Sequence, residues 1–372
     1  MKREELRTPC YVIMESEMKK NLQILQEIRQ QSGCKILLAQ KAFSMYSCYP
    51  LIGEYLDGTT ASGLYEAKLG KECMGKENHI FSPAYREDEF EEVLANCEHL
   101  VFNSFSQLEK FGERAANAGK SVGIRVNPGC STQEEHAIYD PCAPGSRLGI
   151  LASEFPETLP SYVEGLHFHT LCEQNADALE ITLKAVEEKF GKWMKQLKWV
   201  NFGGGHHITR ADYDRELLIS CVRRIQDTYN VQVYLEPGEA VALNAGHLIT
   251  TVEDIVHNDI TVLDVSAACH MPDVIEMPYR PPLFDSGEAK EKEYTYLLGG
   301  PTCLAGDVIG SYSFDQPLKV GDRLTFGDMA IYTTVKNNTF NGMRLPDIVW
   351  ERESGECEIV KSFGYEDFKC RL

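Results

Sequence analysis

The chain has 13 cysteines, an odd number, and no two of them form a C-x-x-C pair. That argues against a disulfide framework and for reduced thiols in a cytoplasmic protein. The first residues, Met1-Lys2-Arg3-Glu4-Glu5-Leu6, lack the apolar stretch of a signal peptide. No apolar run approaches the ~18 residues of a membrane span, which excludes a helical membrane protein. Basic charge is scarce, with 37 Lys and Arg against 56 Asp and Glu and a formal net charge of −19. Such a surface repels phosphate backbones, so no nucleic-acid partner is expected. It favours cationic ligands, although acidity for solubility alone gives the same composition. Internal repeats, low-complexity tracts and Gly/Ser linkers are also missing.

What is present is a long chain with a large apolar fraction. At 372 residues and 43% hydrophobic content it can bury a sizeable core, and its length suggests two domains. Short apolar runs that read as strands occur at 35–40, 58–62, 79–82, 99–103, 122–126, 163–168, 199–202 and 231–235. Stretches with helical spacing separate most of them, and Ser104 is placed to cap the one that starts at Phe105. Eight alternating units point to an α/β fold, a (β/α)8 TIM-like barrel. The competing fold is a doubly wound open sheet. It would usually carry a G-x-G-x-x-G turn after its first strand, and none stands there.

From about Ala240 the texture changes to short strand-like runs at 247–252, 260–265, 294–298, 323–326 and 358–361, punctuated by Pro and Gly. This reads as a second, all-β domain of sandwich or barrel type. The expected division is a barrel over 15–238 and an all-β domain built from 1–14 plus 239–372, with Cys10-Tyr11-Val12-Ile13 joining the latter. The loop at 127–146, rich in Pro, Gly and Cys, is either a lid over the barrel mouth or an ordered surface loop.

Polar residues follow several of the barrel strands at their carboxyl ends, where barrels of this type collect catalytic groups. Lys41 closes the apolar run Ile36-Leu37-Leu38-Ala39-Gln40. An amine in an apolar pocket has a lowered pKa and can form a Schiff base. The alternative is a lysine snorkelling at a strand end. Gly203-Gly204-Gly205 leaves backbone N–H groups free to approach an anion such as phosphate, or merely forms a tight turn. Glu236, in Leu235-Glu236-Pro237-Gly238, needs a proton or a cation if buried, which a pyridinium or a structural ion pair would supply. His167 and His169 alternate on one strand and so share a face, as a metal pair or as a ring stacked on an aromatic cofactor. His206 and His207 follow the glycines, but no Asp or Glu completes a clean ligand set, so no metal is expected.

A Schiff-base lysine, a flat histidine, a phosphate-binding loop and a carboxylate for a ring nitrogen are together what pyridoxal 5'-phosphate (PLP) requires. Here the chain resembles the alanine-racemase-fold PLP enzymes, specifically the basic amino acid decarboxylases related to ornithine and diaminopimelate decarboxylase. The matching segments are Ala39-Gln40-Lys41-Ala42-Phe43, Gly165-Leu166-His167-Phe168-His169, Phe202-Gly203-Gly204-Gly205, Leu235-Glu236-Pro237-Gly238, Gly300-Pro301-Thr302-Cys303, and Tyr332-Thr333 through Thr339-Phe340-Asn341-Gly342. Within that group, Glu236-Pro237-Gly238-Glu239-Ala240, Ala268-Cys269-His270-Met271-Pro272-Asp273 and Cys303-Leu304-Ala305-Gly306-Asp307 are most similar to the carboxynorspermidine/carboxyspermidine decarboxylases.

The resemblance implies that Lys41 carries PLP and that Glu236 keeps its ring nitrogen protonated. It implies that His169 stacks on the ring, and that Gly203, Gly204, Gly205, Gly238 and Tyr332 line the cofactor and its phosphate. It implies that Cys303 protonates the substrate α-carbon from the partner subunit of a homodimer. The expected reaction is decarboxylation of carboxyspermidine or carboxynorspermidine in polyamine biosynthesis. Glu239, Asp273 and Asp307 are then candidates for the substrate's distant ammonium groups. The chain departs from the ornithine decarboxylase pattern in three places. Glu239 stands where a basic residue helps hold phosphate, Leu304 replaces an acid after Cys303, and Leu171-Cys172 replaces Gly-Ser after the stacking histidine. Three rivals stand. One is a diaminopimelate decarboxylase using Arg147 or Arg280 for a second carboxylate. Another is a metal-dependent barrel hydrolase using His167 and His169. The third is a non-catalytic PLP-binding protein.

Overall fold

The computed structural model describes residues 1–133 and 137–372. It divides into two compact units, Asn21–Val241 on one side and Met1–Lys20 with Ala242–Leu372 on the other.

The chain opens with β1 (Cys10–Met14) and α1 (Glu15–Ser32), and then enters the barrel. Eight parallel strands close it: β2 (Lys35–Ala39), β3 (Gly58–Ala61), β4 (Glu77–Phe81), β5 (His99–Phe102), β6 (Ser121–Asn127), β8 (Val163–His167), β9 (Trp199–Asn201) and β10 (Gln232–Leu235). A two-residue strand, β7 (Ile150–Leu151), adds to the end of β6. The ring shuts where β10 pairs with β2 and β5 with β6. Helices follow most strands: α2 (Tyr49–Tyr55), α3 (Leu64–Cys73), α4 (Phe90–Asn96), α5 (Phe105–Asn117), α6 (Ala176–Met194) and α7 (Arg215–Tyr229). Three starts are fixed by side-chain caps, Ser104 accepting from the Gln107 N–H at 3.2 Å, Asn175 from the Ala176 N–H at 2.7 Å and Asp214 from the Leu217 N–H at 2.9 Å. Each satisfies a backbone donor that a helix start leaves open.

Barrel strands are buried on both faces, which is why they read as nearly continuous apolar runs. Leu37, Val101, Trp199 and Tyr234 form one cluster inside. Trp199 fits because Gly165 stands beside it, where a Cβ would come within 1.9 Å of the indole. At the amino ends of the strands, Glu77 gathers the polar groups. It accepts from Lys35 at 2.6 Å, from the Tyr234 hydroxyl at 2.8 Å and meets the His79 ring at 2.8 Å. Burial opposes ionisation of Glu77, but these hydrogen bonds outweigh it and hold the carboxyl far below the usual range. His79 and His99 stack beside it, ring centres 4.0 Å apart.

The other unit is built on a second sheet. Its strands are β11 (Gly246–Val256), β12 (Ile260–Leu263), β13 (Tyr294–Gly299), β14 (Val308–Phe314), β15 (Arg323–Phe326), β16 (Asp347–Glu351) and β17 (Cys357–Lys361) together with β1. The order is β14-β13-β12-β11-β1-β16-β17, with β15 also on β11. β1 thus lies inside the sheet, antiparallel to β11 and parallel to β16. Tyr11, Leu248, Leu263, Leu298, Tyr312 and Phe326 lie in its core. β14 and β16 are strands that the residue pattern alone does not reveal.

Part of the 127–146 loop, residues 134–136, lies outside the described residues, so the lid reading does too. The described start of that loop is tied down: Thr132 Oγ1 donates to Gln174 at 2.8 Å, and the Gln133 amide to the Cys172 carbonyl at 3.0 Å. No described helix is long and apolar enough to cross a membrane.

Candidate active site

The barrel brings Lys41, His169, Gly203 to Gly205, Glu236 and Gly238 to the carboxyl ends of β2, β8, β9 and β10. The loops are laced to one another. The Ala39 N–H donates to the Pro237 carbonyl at 3.1 Å, the Glu236 N–H to the Gly203 carbonyl at 2.8 Å, and the Gln174 N–H to the Gly205 carbonyl at 3.0 Å. Gly238 allows the first of these approaches, since a Cβ there would lie 2.6 Å from Ala42 Cβ.

Lys41 differs from the expected pocket lysine, because its side chain is exposed at the end of β2 rather than sealed among apolar groups. Protein still surrounds the ammonium. Desolvation, and then the charge of Arg125, lower its pKa from the ordinary lysine value against the opposing pull of Glu236 and Glu239. A lowered pKa is what a nucleophilic amine needs near neutral pH.

Glu236 is buried, and its Oε1 accepts from the Asn201 amide at 2.7 Å. Its Oε2 lies 3.3 Å from His167 Nε2. Burial opposes ionisation, but His167 and Asn201 hold the carboxyl below its usual range. Arg125, buried on β6, is a nearby permanent cation. Its guanidinium stacks over Phe81 at 4.5 Å and donates to the His169 carbonyl at 3.4 Å. Asn201 and Arg125 were not singled out from the sequence. The signal for both is a polar residue inside an apolar strand, in Trp199-Val200-Asn201-Phe202 and Gly123-Ile124-Arg125-Val126.

His169 has its ring fixed by one bond. Its Nδ1 accepts from the Gly204 N–H at 2.9 Å, so the remaining proton sits on Nε2 and the imidazole is neutral. Burial, with the charge of Lys41, pushes its pKa well below the ordinary value.

That bond also revises the glycine loop. Gly203 N–H donates to Asn201 Oδ1 at 2.8 Å and Gly204 N–H to His169, so only Gly205 of the three keeps its N–H unused among the described residues. Gly203 and Gly205 have φ of +70° and +81°, which favours glycine. A Cβ on Gly204 would come within 2.5 Å of the Glu236 carbonyl. The loop is a close-approach cradle with one free donor, not a ring of three.

Of the remaining candidates, Cys303, Asp307, Asp273, Tyr332 and Arg280 lie in the sheet unit, and Arg147 and Glu239 in the barrel unit. Cys303 is exposed on the turn between β13 and β14, and its N–H donates to Asn341 Oδ1 at 2.8 Å. Asp307 staples that turn. It accepts from Thr302 Oγ1 at 2.6 Å, Ser266 Oγ at 3.0 Å and the Ala268 N–H at 3.2 Å. Its oxygens are therefore engaged by its own unit. Asp273 forms an ion pair with Lys336, which also meets Glu276 at 2.6 Å. Tyr332 is half-buried with φ +56°, a conformation that bulky residues rarely adopt. Arg280 is occupied by Glu288 and the Ser311 and Gly287 carbonyls, while Arg147 is exposed. Glu239 is buried against His207, with 3.0 Å between Oε2 and Nε2.

An exposed amine of lowered pKa, an ionised buried carboxylate, a neutral ring of fixed tautomer and a glycine cradle fit PLP. Comparison with known proteins agrees. The family model of the pyridoxal-dependent decarboxylases, described by its C-terminal sheet domain, matches residues 10–330. The carboxynorspermidine/carboxyspermidine decarboxylase of Campylobacter jejuni is 46% identical, covering 99% of both chains. The carboxyaminopropylagmatine decarboxylase of Synechocystis is 41% identical over 99% of this chain and 96% of its own. A crystal structure of carboxynorspermidine decarboxylase from Campylobacter jejuni, complexed with norspermidine, superposes with a TM-score of 0.92 at 46% identity over 99% of this chain and 100% of that one. Diaminopimelate decarboxylase from Helicobacter pylori shares the fold, with a TM-score of 0.84 at 16% identity over 99% of this chain and 97% of that one. The match runs through both units, and the chain belongs to the pyridoxal-dependent decarboxylases.

Proposed function

We propose that this decarboxylase acts on carboxylated aminopropyl polyamines, carboxynorspermidine and carboxyspermidine, and releases norspermidine or spermidine with CO2. The observation that carries the reading is the end-to-end match at 46% identity to a relative of that name. A relative at 41% named for carboxyaminopropylagmatine belongs to the same chemical class, an amino acid with further cationic nitrogens. Of the two arginines that a diaminopimelate substrate could use for its second carboxylate, Arg280 is already engaged, whereas Arg147 is exposed, so the assay below decides between the two substrates.

When bound, PLP supplies an electron sink for the pair of electrons left as CO2 departs. Lys41 provides the amine that anchors the cofactor aldehyde. Glu236, held by Asn201, keeps the ring nitrogen protonated. His169, pinned by Gly204, offers a flat neutral face to the ring. Gly205, with Gly238 and Tyr332, serves the phosphate. Cys303 delivers a proton to the α-carbon. We further propose a homodimer in which Cys303 serves the neighbouring protomer, and a cytoplasmic location. All thirteen cysteines are free thiols, which suits a reducing compartment.

The deciding experiment is CO2 release by PLP-loaded protein from carboxynorspermidine, carboxyspermidine, carboxyaminopropylagmatine, ornithine and meso-diaminopimelate. Turnover confined to the carboxylated aminopropyl amines is expected. Turnover of diaminopimelate alone would overturn the substrate. Mixing Lys41→Ala with Cys303→Ala should restore activity if the sites are shared, and leave it absent if they are not.

A further inference from the structure

His167 closes β8, two residues before His169, and the reaction proposed above gives it no task. Strand register places it in a row. Arg125 of β6 stands opposite it on one side, and Asn201 of β9 on the other. Residues paired in this way share a face of the sheet, so three polar side chains form one layer, and all three are buried. Glu236, just past β10, meets that layer. Its Oε1 accepts from the Asn201 amide at 2.7 Å, and its Oε2 faces His167 Nε2 at 3.3 Å.

The row gives Glu236 two neutral partners and commits its cation elsewhere. The Arg125 guanidinium lies over Phe81 and reaches the His169 carbonyl at 3.4 Å. An ionised carboxylate only accepts hydrogen bonds, so the His167 nitrogen that faces it must carry the hydrogen. The ring is then the Nε2–H tautomer. Its Nδ1 is bare, with no partner among the described residues. The charged and titratable groups around it are Glu236, Arg125, Lys41 and His169. Burial above all, with the charges of Arg125 and Lys41, keeps a second proton off the ring against the pull of Glu236. His79, lower in the barrel, also acts on Glu236.

Neutrality matters here. A cation bound to Glu236 would cancel its charge and weaken its hold on a pyridinium. A neutral N–H fixes the carboxylate in place and favours its ionised form. It leaves the negative charge to the cofactor ring.

We propose that His167 is a positioning residue for Glu236. Its Nε2–H holds Oε2 as the Asn201 amide holds Oε1, so the proton between carboxylate and ring nitrogen stays on the nitrogen. The inference rests on the placement of Glu236 at the ring nitrogen made above.

The test is 15N NMR of the protein loaded with PLP labelled at its ring nitrogen, where the shift separates pyridinium from free pyridine. The wild type should read as pyridinium near neutral pH. In His167→Leu the signal should move toward free pyridine, and His167→Gln, which keeps an N–H, should recover most of it. The kcat for CO2 release should fall about tenfold in His167→Leu and recover in His167→Gln, with KM nearly constant in both. An unchanged pyridinium signal in His167→Leu would overturn the proposal. Equal loss in the two variants would also overturn it, by leaving His167 a packing role. Glu236→Gln separates this inference from the one beneath it. Pyridinium kept in that variant would overturn the placement of Glu236 and this inference with it. Pyridinium lost there but kept in His167→Leu would overturn this inference alone. Should the leucine variant fail to fold, the loaded wild type with 15N-labelled histidine still decides. The His167 signal, assigned by its loss in His167→Gln, must read as neutral Nε2–H, and an Nδ1–H or doubly protonated ring would overturn the proposal.

Discussion

At the scale of single residues, the proposed site has its protonation states set by the fold alone. Lys41 is made easier to deprotonate by crowding and by Arg125, Glu236 is kept ionised, and His169 is kept neutral by one backbone bond. Lys41→Ala should abolish the visible absorbance of lysine-bound cofactor and all turnover, and retained absorbance would remove Lys41 from its role. The places of Lys41, His169 and Glu236 at the carboxyl ends of strands were legible because each breaks or ends an apolar run. The bonds between them were not. Glu239 and His207 stand 32 positions apart, and their pairing depends on how two loops close at one end of the barrel. The same holds for the Gly204 bond to His169, which uses a donor that a run of three glycines had suggested was free.

At the scale of elements, the barrel strands were readable because burial on both faces leaves an unbroken apolar signature. β14 was not, since Val308-Ile309-Gly310-Ser311-Tyr312-Ser313-Phe314 is interrupted by small and polar residues and becomes a strand through its pairing with β13. Asp347-Ile348-Val349-Trp350-Glu351 is short and bounded by charge, and it owes its place to β1 and β17. Within the barrel, β8 depends on β9 through a missing side chain. Gly165→Ala would drive a methyl into Trp199, and overpacking of this kind costs about 1–3 kcal/mol or more. A lowered Tm in thermal unfolding is expected, partly recovered in Gly165→Ala with Trp199→Leu. An unchanged Tm would mean that the indole has room to move.

At the scale of the molecule, burial holds several histidines neutral. His99 is lowered to about 3, and His206 and His270 each to about 4, with desolvation the main cause in all three. Below about pH 6.5 the unfolded chain takes up protons that the folded protein refuses, so stability falls as pH drops toward about 4. Each such histidine contributes up to about 1.4 kcal/mol per pH unit across that window. His207, shifted the other way, offsets part of it. Denaturant unfolding at pH 7.5, 6 and 5 should show a steady loss, and His270→Asn should flatten it. Stability that stays level down to pH 5 would contradict these protonation states.

The place of β1 has a consequence for synthesis. This strand leaves the ribosome before the barrel, yet its neighbours β11 and β16 are made only after it. At ~5–20 residues per second, the whole barrel is translated while Cys10–Met14 waits roughly tens of seconds for its partners. The waiting segment is apolar and becomes wholly buried, so in the nascent chain it is a sticky, unpaired edge. The barrel strands have all their partners by residue 235, whereas the sheet can close only after β16 and β17 are made. Chaperones that hold β1 will therefore bear on the closing of the sheet, a later event than the closing of the barrel.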